Sequence, residues 1–131
     1  MSRSPTDIIS ELYAAFARGD IPAIVGMVAE DVDWRVPEKL PHGGDFHGRD
    51  GVMRFFQGLG ANWDGLELDL DGLVSGPDRV LAVANIHGRV RATGEQSGYK
   101  SVHVWTLRDG VPVRFAEYVD APVSLPAAGT P

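Results

Sequence analysis

The sequence predicts an α+β domain, with helices first and an antiparallel sheet second. Three observations carry this reading. Apolar side chains recur at helical spacing over residues 8–16 and again over 52–59. "LELDLDGLV", residues 66–74, opens with a strict alternation of Leu66, Leu68 and Leu70 against Glu67, Asp69 and Asp71. "VHVWTLRDGVPVRFAEYVD", residues 102–120, sets two runs rich in Val, Trp and Phe about an Arg-Asp-Gly turn, as a β-hairpin does.

Each element has its own signals. In the first helix Ser4 is placed to cap, Pro5 suits the first turn and Asp7 stands where a capping-box acid would. Ile8, Ile9, Leu12, Tyr13 and Phe16 follow, and Arg18-Gly19 ends the helix. Asp20 caps a short second helix carrying Ile24, Val25 and Val28. "DVDWRVP" (31–37) reads as a short strand closed by Pro37, and "EKLPHGGDFHGRD" (38–50) as a loop rich in Pro, Gly and His. A third helix spans roughly 50–59, with Val52, Phe55, Phe56 and Leu59 turned inward. After "LELDLDGLV" comes the turn "SGPD", then the long strand "RVLAVANIHGRVRAT" (79–93), the loop "GEQSG" and the hairpin. The Pro- and Ala-rich tail, 121–131, is expected to be loose. Nothing divides the chain, so 1–131 is read as one domain with its core over 6–120.

The bulk numbers exclude several function classes. The chain has 131 residues, 44% of them hydrophobic, enough for one buried core. Its net charge is −6 and its twelve basic residues form no stripe, which argues against nucleic acid as a partner. The absence of cysteine excludes disulfides and thiolate metal sites. No apolar run approaches membrane-spanning length and the N-terminus lacks a signal-peptide core, so no membrane partner and a cytoplasmic location are expected.

Strand parity decides what faces inward. Val111, Val113, Phe115, Glu117 and Val119 share one face of the last strand, a core face with Glu117 as its single polar member. On the preceding strand Ser101, His103, Trp105 and Leu107 share a face. A two-residue Asp109-Gly110 turn would set His103 opposite Ala116. A three-residue Arg108-Asp109-Gly110 loop with a bulge at Gly110 would set Trp105 opposite Val113 and His103 opposite Phe115. The second register joins the two large apolar sets and is the one expected, with His103 and Glu117 as near neighbours. On the long strand Leu81, Val83, Asn85, His87 and Arg89 form one face. The opposite set, Val80 through Val90, is small and apolar. With Val102, Val104 and Ala116 it is read as a flat outer patch suited to homodimerisation.

The order of "DVDWRVP", "FHGRDGVMRFF", "VHVWTLRDG" and "FAEYVD" resembles the nuclear-transport-factor-2-like superfamily, specifically its SnoaL-like branch, over roughly residues 6–120. That resemblance implies a cone-shaped fold, in which a curved antiparallel sheet wraps around three N-terminal helices and encloses one deep pocket. It also implies a homodimer. Known members include ketosteroid isomerase, limonene-epoxide hydrolase, polyketide cyclases, scytalone dehydratase and non-catalytic subunits, so the fold alone does not give a function. The stretch Ala116-Glu117-Tyr118-Val119-Asp120 is similar to the epoxide hydrolases' final strand and puts Glu117 at a catalytic carboxylate. Their Arg-x-Asp is replaced here by Asn85-Ile86-His87, which counts against the same epoxide-opening mechanism.

The expected site is an apolar pocket with a few convergent polar groups and no cofactor. Glu117 is the candidate general base, with His103 or His87 as its catalytic partner. Asn85 would polarise a carbonyl or hold a water. Trp34, Trp105, Phe115, Tyr13, Phe16 and Val119 would supply the walls. The alternative for Glu117 is a structural ion pair with Arg35 or Arg89. His42 and His47 fall near the expected pocket mouth, but no carboxylate completes a metal-binding spacing, and no metal is expected. The function expected is cofactor-independent acid–base catalysis on a small apolar, oxygenated ligand: isomerisation, cyclisation, dehydration or hydrolysis. The alternative is a non-catalytic binding or dimerisation module on the same fold, with a scaffold subunit as a third option.

Overall fold

A computed structural model describes residues 3–119, so Asp120 and the 121–131 tail lie outside the described residues. Its helices are α1 (Pro5–Ala17), α2 (Ile21–Met27) and α3 (Gly48–Asn62). Its strands are β1 (Asp33–Val36), β2 (Gly44–His47), β3 (Trp63–Ser75), β4 (Arg79–Val90), β5 (Gln96–Arg108) and β6 (Val111–Val119).

The helix boundaries follow local chemistry. Ser4 Oγ accepts from the Asp7 amide at 3.1 Å and Asp20 Oδ1 from the Ala23 amide at 3.2 Å. Caps of this kind contribute about 1 kcal/mol each. α1 ends at Arg18, followed by Gly19 at φ 73°. α3 extends beyond its apolar spacing at both ends, and its last turn is tied by Asn62 Nδ2 donating to the Gly58 carbonyl at 2.7 Å.

The six strands run in the order β2-β1-β6-β5-β4-β3, antiparallel except for the parallel β1–β6 pair, where Trp34 lies beside Phe115. The sheet is curved and unclosed, and its concave face packs on the helices. Register shifts within β3 and between β5 and β6 mark bulges, which increase local twist and bend the sheet. β2 falls inside the segment read as a loop; four residues are too few for a periodic signal. No helix among the described residues is long and apolar enough to cross a membrane.

The β5–β6 hairpin differs from the expected one in an instructive way. Its turn is the two-residue Asp109-Gly110, with φ values of 53° and 78°, a conformation close to type I′, and Arg108 pairs with Val111. The extra residue is inserted farther along. Leu107 pairs with Pro112 and Thr106 with Arg114, so Val113 bulges out of the ladder. Past that point Trp105 faces Phe115 and His103 faces Glu117. The face shared by His103 and Glu117 is the expected one, but the register is two residues away and the bulge is in β6 rather than in the turn.

The face assignment of β4 is reversed. Val80, Ala82, Ala84 and Ile86 are buried on the concave side, whereas Leu81, Val83, Asn85 and His87 lie on the convex side. Small side chains belong inside because the curved sheet closes tightly on the helices there. The polar pair belongs outside because β3 sets Asp69 directly opposite Asn85 and Glu67 opposite His87.

Candidate active site

Under the helices, the concave face encloses a cavity of about 60 Å³. Tyr13 and Phe16 of α1, Phe55 and Phe56 of α3, Trp34 of β1 and Phe115 of β6 give it aromatic walls. Its half-buried lining residues, Phe16, Phe56, Leu66, Leu68 and Tyr99, mark the side nearest solvent.

Into this apolar space β5 and β6 carry a chain of buried polar groups. Trp105 Nε1 donates to Tyr13 Oη at 2.9 Å, and Tyr13 Oη lies 2.6 Å from His103 Nδ1. His103 Nε2 lies 3.1 Å from Glu117 Oε2, which also accepts from Ser101 Oγ at 2.6 Å. The ends fix the direction: an indole N–H only donates and an ionised carboxylate only accepts. In the neutral imidazole, then, Tyr13 O–H donates to His103 Nδ1 and His103 Nε2–H donates to the carboxylate. Burial pushes the Glu117 carboxyl up, but the hydrogen bonds it accepts from His103 and from the Ser101 hydroxyl outweigh that and hold the group below its ordinary value. Burial raises the Tyr13 phenol, so that hydroxyl keeps its proton.

Both donors reach Oε2. Glu117 Oε1 has no hydrogen-bond partner among the described residues, and Glu117 lines the cavity. Neither Arg35 nor Arg89 is bonded to this carboxylate; Arg89 instead donates to the Gly94 carbonyl. With both ring nitrogens occupied, His103 presents no free nitrogen to the cavity and acts through Glu117.

Other expected site residues separate clearly. Trp34, Trp105, Phe115, Tyr13 and Phe16 line the cavity. Val119 does not; it pairs with Ser101 and packs at the edge of the core. His87 and Asn85 are corrections, being outside the cavity on the convex face. His87 Nε2 is 2.9 Å from Asp69 Oδ2, and Asn85 Nδ2 donates to Asp71 Oδ1 at 2.9 Å. His47 is exposed beside Asp33, with Nδ1 3.0 Å from Oδ1.

Three further polar groups complete the site. Ser101 and Tyr99 precede His103 on the same face of β5, and extending that strand's alternation back by two pairs finds them. His42 comes from the loop between β1 and β2 and is 4% exposed. Trp63 Nε1 donates to its Nδ1 at 3.2 Å, and Tyr99 Oη lies 3.3 Å from its Nε2. Burial lowers the His42 imidazole against a smaller opposing pull from Glu117. Among the described residues no three His, Cys, Asp or Glu side chains gather as metal ligands.

The model of the SnoaL-like domain family matches residues 9–117. A nuclear-transport-factor-2-like protein of Burkholderia thailandensis is 32% identical and superposes with a TM-score of 0.85, over 91% of this chain and 92% of that one. TerC, crystallised with polyporic acid, is 29% identical with a TM-score of 0.79, over 89% of this chain and 92% of its own. An uncharacterized protein of Mycobacterium tuberculosis is 29% identical over 120 residues, 90% of each chain.

Proposed function

The chain belongs to the SnoaL-like domain family of the nuclear-transport-factor-2-like superfamily, and from that premise we propose that it is a cofactor-independent acid–base enzyme acting on a small, oxygenated organic ligand. The observation that carries this is the polarity of the buried chain from Trp105 to Glu117. It holds one carboxylate oxygen and leaves the other unpartnered at an apolar wall. A carboxylate held below its ordinary value is ionised at neutral pH, so Glu117 enters the reaction as a base. Ser101 and His103 fix its orientation, and Tyr13 and Trp105 fix the imidazole. The reaction class is therefore one begun by proton abstraction: isomerisation, cyclisation or elimination. That TerC was crystallised with polyporic acid supports an oxygenated organic ligand for this chain as well. A ring-sized ligand exceeds about 60 Å³, so its entry requires the half-buried Phe16 and Phe56 side chains to give way.

A homodimer through the convex sheet face accompanies this reading. Two apolar rows cross that face: Val74, Leu81, Val104 and Ala116 in one, Val83, Val102 and Tyr118 in the other.

The test is solvent exchange. Small apolar ketones, enones and hydroxyaromatics are incubated with the protein in deuterium oxide, then examined by mass spectrometry for deuterium uptake or conversion. Glu117→Gln is expected to keep binding and lose the exchange. Compounds that bind without exchange or conversion in the unaltered protein would instead establish a binding module.

A further inference from the structure

The cavity holds a second hydrogen-bond chain whose direction can be read from its end. An indole N–H has no lone pair to offer, so Trp63 Nε1 must donate to His42 Nδ1, and that nitrogen carries no proton. The buried imidazole is neutral, its proton affinity reduced by desolvation, so its single proton sits on Nε2. Nε2–H then donates to Tyr99 Oη, 3.3 Å away. The tyrosine oxygen is thus an acceptor in this contact, and its own proton has no acceptor among the described residues. Tyr99 and His42 both line the cavity that Glu117 lines. Burial raises the Tyr99 phenol, so the proton stays on the oxygen.

The two chains therefore have opposite polarity. One ends on a carboxylate oxygen that can only accept; the other ends on a hydroxyl proton that can be donated.

We propose that Tyr99 is the cavity's ligand-facing donor, set in that role by the Trp63–His42 relay, and that it selects ligands carrying a carbonyl oxygen. This deepens the acid–base reading and rests on it for the identity of the base. A carbonyl held by the Tyr99 hydroxyl at one end, with a carbon–hydrogen bond toward Glu117, loses its α-proton to Oε1. The C–H electron pair then forms the enolate, whose oxygen the same hydroxyl stabilises. Reprotonation at carbon by the Glu117 acid restores the carboxylate, so the cycle needs no co-reactant. His42 and Trp63 are positioning residues here, because they act through the Tyr99 oxygen.

The experiment has two arms. Nitrogen-15 NMR of histidine-labelled protein reads the His42 tautomer with no ligand added. A proton on Nε2 alone is expected, and Trp63→Phe is expected to release the ring into a mixture of tautomers. A proton on Nδ1, or on both nitrogens, at neutral pH overturns the proposal. The second arm uses 2-cyclohexen-1-one as probe and reads its carbonyl stretching frequency by infrared difference spectroscopy. The bound carbonyl is expected below its frequency in an apolar solvent, with most of that displacement lost in Tyr99→Phe and kept in Glu117→Gln. Affinity should fall about three- to tenfold in Tyr99→Phe, the range for one neutral hydrogen bond. An unmoved frequency in Tyr99→Phe, or no binding of this enone, overturns the carbonyl assignment. A Tyr99-dependent frequency without deuterium exchange would refute the enzymatic reading and leave the donor assignment standing.

Discussion

Glu117 keeps its charge at 6% exposure because two donors converge on one of its oxygens. Replacing it with Gln keeps one carbonyl oxygen for His103 Nε2–H and Ser101 Oγ–H but removes the charge that strengthens both bonds and sets an amide NH2 without a partner at the apolar wall. A loss of about 1–3 kcal/mol is expected, read as a lower urea midpoint. The acid limb of the stability curve has a definite sign. A carboxyl whose folded-state affinity for protons is below its unfolded one adds stability above its ordinary value. It loses that contribution as pH falls through the lower folded value. Melting temperatures measured below about pH 4.5 should fall less steeply in Glu117→Gln than in the unaltered protein. His42 acts in the same sense at higher pH. Its buried neutral ring resists a proton that the unfolded chain accepts near pH 6.5, so stability present above that value declines as pH falls below it. His42→Gln is expected to remove that part of the decline.

At the scale of the element, the β5–β6 hairpin shows how a turn and a bulge together aim a side chain. Asp109 and Gly110 both take positive φ, which costs an L-residue other than Asn or Asp about 1–2 kcal/mol. Gly110→Val should lower the denaturation midpoint accordingly, while Asp109→Asn should leave it nearly unchanged. The Val113 bulge then sets the parity of everything beyond it. Deleting Val113 removes the extra residue and leaves Trp105 paired with Phe115 and His103 with Glu117. Cooperative unfolding by circular dichroism is therefore expected to survive the deletion, with Glu117 still on the concave face. The His42 loop has a tight point of its own. A Cβ on Gly43 would overlap the Pro37 carbonyl oxygen, so Gly43→Ala must displace the loop that carries His42. The His42 NMR signal, more than the melting temperature, is the measurement that detects this.

For the whole molecule, curvature divides the sheet into a concave face that makes the cavity and a convex face open to other contacts. Val74 is 67% exposed, Tyr118 62% and Leu81 39%, and the strand pairing joins them to Val104, Val83 and Val102. The proposed homodimer covers this surface. Sedimentation velocity should show a dimer that Leu81→Glu with Val104→Glu converts to monomer without changing the far-ultraviolet spectrum. A monomeric unaltered protein would refute the interface. The acidic stretch of the same face, with Asp69 on His87 and Asp71 on Asn85 and Lys100, stays solvated beside it.

The sequence by itself determined what local chemistry decides. The caps at Ser4 and Asp20, the α+β order and the shared face of His103 and Glu117 were all legible, because caps and strand parity depend on neighbours a few residues away. The site's polar half was only partly legible. Alternation on β4 has no sign of its own, and only pairing with the acidic face of β3 placed Asn85 and His87 outside and Ile86 inside. The Val113 bulge, the four-residue β2 and the burial of His42 likewise depended on contacts between distant segments. Those contacts form because the curved sheet must close over α1 and α3, and no short window of sequence encodes that closure.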